Sequence, residues 1–548
     1  MDYPRLKEPS KNGAASSARF HGCPAVFEAA HSHGRQARFI RLPWKTLFSD
    51  TRERLAEYLF HISGVKYATY ELARLYPTRG YTVNTHNYDL VVIGGGPAGQ
   101  KGALTAATLR KKVAVVERKW SGPGPSAQAG TISSRLLREA VLSLRARRLF
   151  QGNDSTQQRI EMPDLAARVP AIVNSHAAIL KSQLAGTDVE TLAGEARFLD
   201  PRTVEIQTDK GPTRVIAEKF LIAVGTRPAA SQHVVIDGER VFNSDQLLSM
   251  RRIPRHLIIV GAGLIGIEYA SMLVLLDAKI TLVDERPALL AFVDRQIVDA
   301  LVSHLTQLGV SFRLGVKVVE CKSNAAKDRV TVRLSNGEVL EAESLLDVAG
   351  RQANTDTLNL ASLGVCTRED GKIEVNDEFQ TAVPSIYAAG DAIGFPIEGL
   401  YYASISMEQA RLAVSNMYGF PAESRPEVFP YAIYAIPEIA MVGETEQTLQ
   451  EGKVDYQTGI ARYEELVQAQ ISDEQGFLKL LFDTDSLKLL GVHIMGARAA
   501  EVIHIGQAVL RFGGTIEYFR DVVFNYPTIA EAYKLAAADG LRKTGWLP

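Results

Sequence analysis

An α/β fold that uses one strand–glycine turn–helix–strand unit twice, followed by an α+β domain, is what this 548-residue sequence predicts. Three observations predict it. The first is Tyr88-Asp-Leu-Val-Val-Ile-Gly-Gly-Gly-Pro-Ala-Gly99, an apolar run (90–93) that ends in Gly94-x-Gly96-x-x-Gly99. The second is a repeat of that pattern, His256-Leu-Ile-Ile-Val260 leading into Gly261-Ala-Gly263-Leu-Ile-Gly266. The third is a change after about residue 425, where strand-like stretches are followed by helix-like ones, the order expected of a separate α+β domain.

Each unit reads in the same way. In the first, a helix of small residues (100–109) follows the turn, and a second apolar run (113–116) closes on Glu117. In the second, a helix (267–276) leads to the strand 279–283 and then Asp284-Glu285-Arg286. In such a unit the first glycine permits the tight turn. The second lets a pyrophosphate approach the backbone, and the third lets helix and strand pack closely. The free N–H groups and positive dipole end of the helix N-terminus then face the phosphates. Glu117 stands where a carboxylate accepts from ribose hydroxyls. Asp284 stands at the matching place and favours a free 2′-hydroxyl, whereas Arg286 suits a 2′-phosphate. Two dinucleotide sites in one chain suit the passage of reducing equivalents between a nicotinamide and a flavin.

Other elements follow in order. A helix is expected over 133–148, and strands over 203–207 and 214–224, the latter running into Gly225-Thr-Arg-Pro228. Ser344-Leu-Leu-Asp-Val-Ala-Gly350-Arg351 is a strand ending at a glycine, where ligands meet sheet ends. Ser385-Ile-Tyr-Ala-Ala-Gly390-Asp391 is a further strand-to-helix turn; Gly390 admits a close approach and Asp391 can bond a polyol. Strands are expected within 427–439 and 478–494, and helices over 501–511 and 528–538.

Composition narrows the class. The net charge is −1, which suggests no nucleic-acid or membrane-surface role, and no apolar run reaches membrane-spanning length. Only Cys23, Cys321 and Cys366 occur, far apart, so neither a disulfide framework nor a Cys-x-x-Cys site is expected. A cytoplasmic setting follows. The N-terminal stretch carries Asp2 and Glu8 and lacks an apolar core, unlike a secretory signal. Residues 1–86 read as an extension, first disorder-prone and then helical over 47–76. His21, Cys23, His31 and His33 match no standard zinc spacing, so no metal is expected.

Further segments carry a resemblance. They are Gly130-Thr-Ile-Ser-Ser-Arg-Leu-Leu137, Ile436-Pro-Glu-Ile-Ala-Met-Val-Gly443, Arg498-Ala-Ala-Glu-Val-Ile-His-Ile-Gly-Gln507, Thr515-Ile-Glu-Tyr-Phe519 and Phe524-Asn-Tyr-Pro-Thr-Ile-Ala-Glu-Ala-Tyr533. With the two glycine turns, they make 89–541 resemble the flavoprotein reductases of the dihydrolipoamide dehydrogenase and glutathione reductase family. Within it, the soluble Si-specific pyridine nucleotide transhydrogenases are the branch most resembled. The resemblance implies FAD on the first unit, with contacts at Thr131, Ala196, Gly225, Gly390, Asp391 and Ala403. It implies NAD(H) or NADP(H) on the second, near Gly350 and Arg351, and a homodimer built by the C-terminal domain. The implied segments are 87–245 and 366–423 for FAD, 246–365 for the nicotinamide nucleotide and 424–548 for dimerisation.

The departures set the expected chemistry. Where disulfide reductases carry Cys-x4-Cys, this chain has Ser126 and Thr131, which offer no thiolate. Where they carry a His-Pro base followed by a glutamate, it has Tyr526-Pro527 and Glu531. Tyrosine, with a pKa near about 10 against about 6.5 for histidine, is a poor base at neutral pH. Arg135 stands at the family's lysine position and Glu268 at its paired glutamate. The resemblance therefore implies FAD-dependent hydride exchange between NADPH or NADH and NAD+ or NADP+ with no redox-active disulfide. A dihydrolipoamide dehydrogenase-like diaphorase, or a flavoprotein without turnover acting as a binding partner, are the alternatives.

Overall fold

The computed structural model describes residues 86–118, 126–151, 161–324, 328–393, 402–420 and 428–546. The 47–76 helices and the His21, Cys23, His31 and His33 group lie outside these residues.

The first sheet is built on His86–Ile93. It pairs in parallel with Val113–Glu117 on one side and with Gly211–Ile222 on the other. Glu190–Ala193 and Ile386–Ala388 extend the parallel part, and Thr203–Thr208 and Glu195–Asp200 add an antiparallel flank. Leu90, Val91 and Val92 are fully buried, as a strand covered on both faces requires. The helix Pro97–Thr108 follows the turn and packs on the helix Ala403–Met417. Its small residues allow that approach: a side chain on Gly102 would meet Leu221 at 2.4 Å.

The second sheet is wholly parallel, in the order Val310–Leu314, Lys279–Asp284, His256–Val260, Ser344–Asp347, Val241–Asn243. A three-stranded antiparallel sheet (Val318–Asn324, Arg329–Leu334, Val339–Ala342) packs against it through Val330, Val332 and Leu345. The third large sheet is antiparallel, in the order Tyr431–Ile433, Ile439–Gly443, Leu489–Met495, Phe477–Asp483, Tyr456–Arg462. The helices Ala499–Arg511 and Ala532–Lys543 lie on it.

Several boundaries differ from the sequence expectation for identifiable reasons. Both glycine-turn helices begin earlier, at Pro97 and Leu264, because the middle glycines Gly96 and Gly263 are the N-caps. The third glycine of each motif thus sits inside the first turn, against the strand end. The helix expected over 133–148 runs from Ser126 to Gln151, and its Leu137 and Val141 enter the core of the second sheet. The stretch 427–439 is broken into two strands around Pro437, which has no N–H for a ladder. The helix expected over 501–511 runs from Ala499 to Arg511, and its Val502, Ile503 and Val509 pack into the core of the third sheet.

Candidate functional site

The glycines of the first turn answer to different constraints. Gly94 has φ +106°, and a Cβ there would lie 2.3 Å from the Ala223 carbonyl oxygen. A Cβ on Gly99 would lie 1.8 Å from the Gly94 carbonyl oxygen. Gly96 has an ordinary φ of −71°, and a Cβ on it would meet nothing within 4 Å. The first and third glycines are therefore required by the fold, while the middle one keeps a space clear. Gln100 Nε2 donates to the Gly95 carbonyl at 2.6 Å, and Glu117 Oε2 accepts from the Gly95 N–H at 2.8 Å. The carboxylate closing the unit is thereby held at the mouth of the turn.

The second turn repeats this geometry. Gly261 has φ +103°, and Cβ atoms on Gly261 and Gly266 would lie 2.8 Å from Ala349 and 1.9 Å from the Gly261 carbonyl oxygen. Asp284 Oδ2 accepts from the Ala262 N–H at 2.6 Å, the counterpart of Glu117 and Gly95. Here the acid is also clasped by Arg286, whose Nε and Nη2 donate to its two oxygens at 2.9 and 2.7 Å. The Arg286 backbone N–H adds a bond at 2.8 Å. Burial works to raise the Asp284 carboxyl, but the Arg286 and Ala262 donors hold it below the usual carboxylate range. The Asp284 side chain is 5% exposed and that of Arg286 62%, so of the two it is Arg286 that faces solvent.

One continuous cavity of about 570 Å³ joins the two turns. Gly94, Gly96, Glu117 and Ala196 line one end, and Gly263, Arg286 and Gly350 the other. Gly225, Arg351, Gly390, Asp391 and Ala403 line the walls between. Arg351 is fixed on Thr226, donating to its hydroxyl at 2.7 Å and its carbonyl at 3.0 Å. Asp391 accepts from the Ser406 hydroxyl at 3.0 Å, and burial pushes its carboxyl above the ordinary range.

On the cavity wall the Arg135 guanidinium lies over the Tyr434 ring, with Nη1 3.9 Å from Glu268 Oε1. The same Glu268 oxygen accepts from the Tyr434 N–H at 2.9 Å. Burial lowers the Arg135 pKa and raises that of Glu268, and each charge partly offsets the shift of the other. Tyr402 completes this cluster; it and Tyr434 line the cavity and were not singled out from the sequence. Tyr434 stands two residues before Ile436-Pro437, one of the resemblance segments, and that adjacency was the available signal.

The predicted residues do not all converge. Gly99, Gly261, Gly266 and Asp284 support the turns from behind rather than line the cavity. Tyr526 is 70% exposed, and neither it nor Glu531 lines the cavity; Glu531 accepts from the Thr528 N–H at 3.3 Å. The side chains of Ser126 and Thr131 lie outside the described residues. Cys321 and Cys366 both stand away from the cavity walls. Among the described residues no cluster of potential metal ligands occurs, and no helix is long and apolar enough to cross a membrane.

Known proteins resemble this arrangement across most of the chain. The family model of the pyridine nucleotide-disulphide oxidoreductases matches residues 88–416, and that of their dimerisation domain matches 429–537. A soluble pyridine nucleotide transhydrogenase of Mycobacterium bovis is 45% identical over 462 residues, covering 83% of this chain and 97% of that protein. One from Colwellia psychrerythraea is 39% identical over 466 residues, covering 83% and 98%. Among solved structures, a Cu(II) complex of the HOCl-induced flavoprotein disulfide reductase RclA of Escherichia coli superposes with a TM-score of 0.73 at 25% identity. That alignment covers 83% of this chain and 99% of RclA. Two glycine turns facing one cavity, followed by a matching dimerisation domain, place the chain in a family: it belongs to the pyridine nucleotide-disulphide oxidoreductases.

Proposed function

We propose that this chain is an FAD-dependent NAD(P)+ transhydrogenase that carries hydride between NADPH or NADH and NAD+ or NADP+ without a redox-active disulfide. The observation that carries the reading is one cavity joining both glycine turns, with the Arg135–Glu268 pair in its walls and no sulfur among the described residues that line it. The residues fit FAD on the first turn: Gly96 keeps open the space a pyrophosphate needs, and Glu117 is poised for ribose. FAD, when bound, accepts hydride from one nicotinamide and returns it to another. Arg135 and Glu268 place opposite charges on the cavity wall, and the guanidinium would orient the rings. Ala196, Gly225, Gly390, Asp391, Ala403 and Thr131 would contact FAD, and Gly261, Gly263, Gly266, Gly350 and Arg351 would serve the nicotinamide nucleotide. The 87–245 and 366–423 segments then form the FAD domain, 246–365 the nicotinamide domain and 424–548 the dimer contact. In a homodimer, Tyr526 and Glu531 would complete the partner's site, which accounts for an exposed tyrosine remote from the cavity. A cytoplasmic location suits a chain whose three cysteines, Cys23, Cys321 and Cys366, stand far apart in sequence.

The test is anaerobic addition of NADPH to the purified flavoprotein, followed by NAD+. The flavin colour should bleach and then return, with NADH formed. A flavin that NADPH never bleaches sinks the reading.

The Asp284–Arg286 clasp bears on which nucleotides enter. With its carboxylate already neutralised, the second site does not repel a 2′-phosphate, and the exposed guanidinium can bind one. Arg286→Ala should weaken NADPH binding by roughly 10- to 100-fold, the range for a charge-assisted hydrogen bond. NADH binding should hold or improve as Asp284 is released. Equal losses for both nucleotides, measured by titration of the holoenzyme, would contradict this.

A further inference from the structure

Two buried polar atoms in this region have no hydrogen-bond partner among the described residues: Arg135 Nη1 and Tyr402 Oη. Both residues line the cavity. Tyr402 is the N-cap of the helix Ala403–Met417, and its ring lies 5.8 Å from that of Tyr431. Glu268, Arg135 and Tyr434 line the same cavity. Burial raises the Tyr402 pKa, so it stays a neutral phenol able both to donate and to accept. Arg135 can only donate.

A buried polar atom without a partner destabilises the protein unless a ligand supplies one. One ligand satisfies both atoms if it carries an acceptor for Arg135 and an N–H donor for Tyr402. A primary carboxamide has that pattern. We propose that Tyr402 is a specificity residue that reads the carboxamide of the nicotinamide ring, accepting from its NH2 while Arg135 donates to its carbonyl oxygen. The inference rests on the transhydrogenase reading for its ligand. It adds a residue that neither glycine turn contributes, at the place where the reacting ring must be oriented.

The experiment measures binding to the oxidised holoenzyme, without turnover, by perturbation of the flavin absorbance. The probes are NAD+ and its 3-acetylpyridine analogue, in which a methyl group replaces the NH2 and the carbonyl is kept. The wild type should bind NAD+ about 5- to 10-fold more tightly than the analogue, the range of one hydrogen bond. Tyr402→Phe should bind the two alike, while Tyr431→Phe should keep the wild-type ratio. The proposal is overturned if Y402F keeps the ratio, or if it shifts both affinities equally. It is also overturned if Y402F alters the flavin spectrum before any nucleotide is added, which would place the hydroxyl on the flavin. A wild type that binds both probes equally overturns it whatever the variant does. A wild type that prefers NAD+ over the analogue, and loses that preference in Y402F, yet carries out no NADPH-to-NAD+ exchange would instead count against the transhydrogenase reading and leave Tyr402 in its role.

Discussion

Gly99→Ala is expected to yield a colourless, destabilised protein, whereas Gly96→Ala should yield a stable protein that is colourless or pale. The added methyl at Gly99 would sit 1.8 Å from the Gly94 carbonyl oxygen and 3.2 Å from Val92. That carbonyl has little room to retreat, since the space behind Gly94 is already filled by the Ala223 and Val224 backbone. The helix start must therefore lift from the sheet, and overpacking of this kind costs about 1–3 kcal/mol. Loss of a bound cofactor removes its mass-action stabilisation as well. At Gly96 the backbone suits any residue and the methyl meets no protein atom, so the melting temperature of the apoprotein should stay near wild type. Only a ligand would feel that methyl. Flavin content of the purified variants, read with their thermal unfolding, separates the two effects. A G96A protein as yellow as wild type would mean that a pyrophosphate does not use the space Gly96 keeps clear.

Lys479→Met is expected to cost about 3–5 kcal/mol, the range for removing one partner of a buried ion pair. Lys479 is fully buried on the strand Phe477–Asp483, and its Nζ donates to Asp294 Oδ1 at 2.8 Å and to Glu446 Oε2 at 2.5 Å. Asp294 caps the helix Arg295–Gln307, accepting from the Gln296 N–H at 3.1 Å, and also accepts from the Glu446 N–H at 3.2 Å. One ammonium thus ties a helix beside the second sheet to the third sheet. His493 is buried next to it, its pKa lowered by burial, with Nε2 donating to the Glu444 carbonyl at 2.8 Å. Methionine would fill the space but leave Asp294 and Glu446 without their cation.

The sign of the pH effect follows from Asp294. Burial alone would raise its carboxyl, but His493, Lys479 and the Glu446 N–H hold it below the ordinary value. A depressed carboxyl contributes its full stability above its unfolded pKa, near about 4, and loses it as pH falls through the folded pKa. Wild-type stability should therefore decline below about pH 4. In K479M the carboxyls are instead easier to protonate, so the gap to wild type should narrow on acidification. Denaturant titrations at neutral and acid pH measure this; a gap that widens in acid would contradict the assignment.

Much of the candidate site was legible because its constraints are local. Gly94, Gly99, Gly261 and Gly266 are dictated by the turn's own backbone, and Glu117 and Asp284 by the strand that closes each unit. A pattern of thirty residues carries all of that. The Asp284–Arg286 clasp was only half legible. Two residues along a strand end can face a ligand or each other, and the sequence allowed both; the fold turned Arg286 back onto Asp284. Tyr402 and Tyr434 gave no sequence pattern because they come from a helix cap and a strand end that meet Arg135 and Glu268 only after packing. Lys479 reads from sequence as one polar residue in an apolar strand, and its partner Asp294 lies 185 residues away.

The sequence by itself determined the two dinucleotide turns, the acids that close them and the absence of a cysteine pair, since each is fixed by short-range sterics or by composition. Only the tertiary structure decided that both turns open into one cavity, that Arg286 pairs with Asp284, and that Arg135 Nη1 and Tyr402 Oη are buried with no hydrogen-bond partner among the described residues. It also decided that Tyr526 faces outward. These are through-space relations between segments far apart in the chain, set by which surfaces pack together, and no local pattern encodes them.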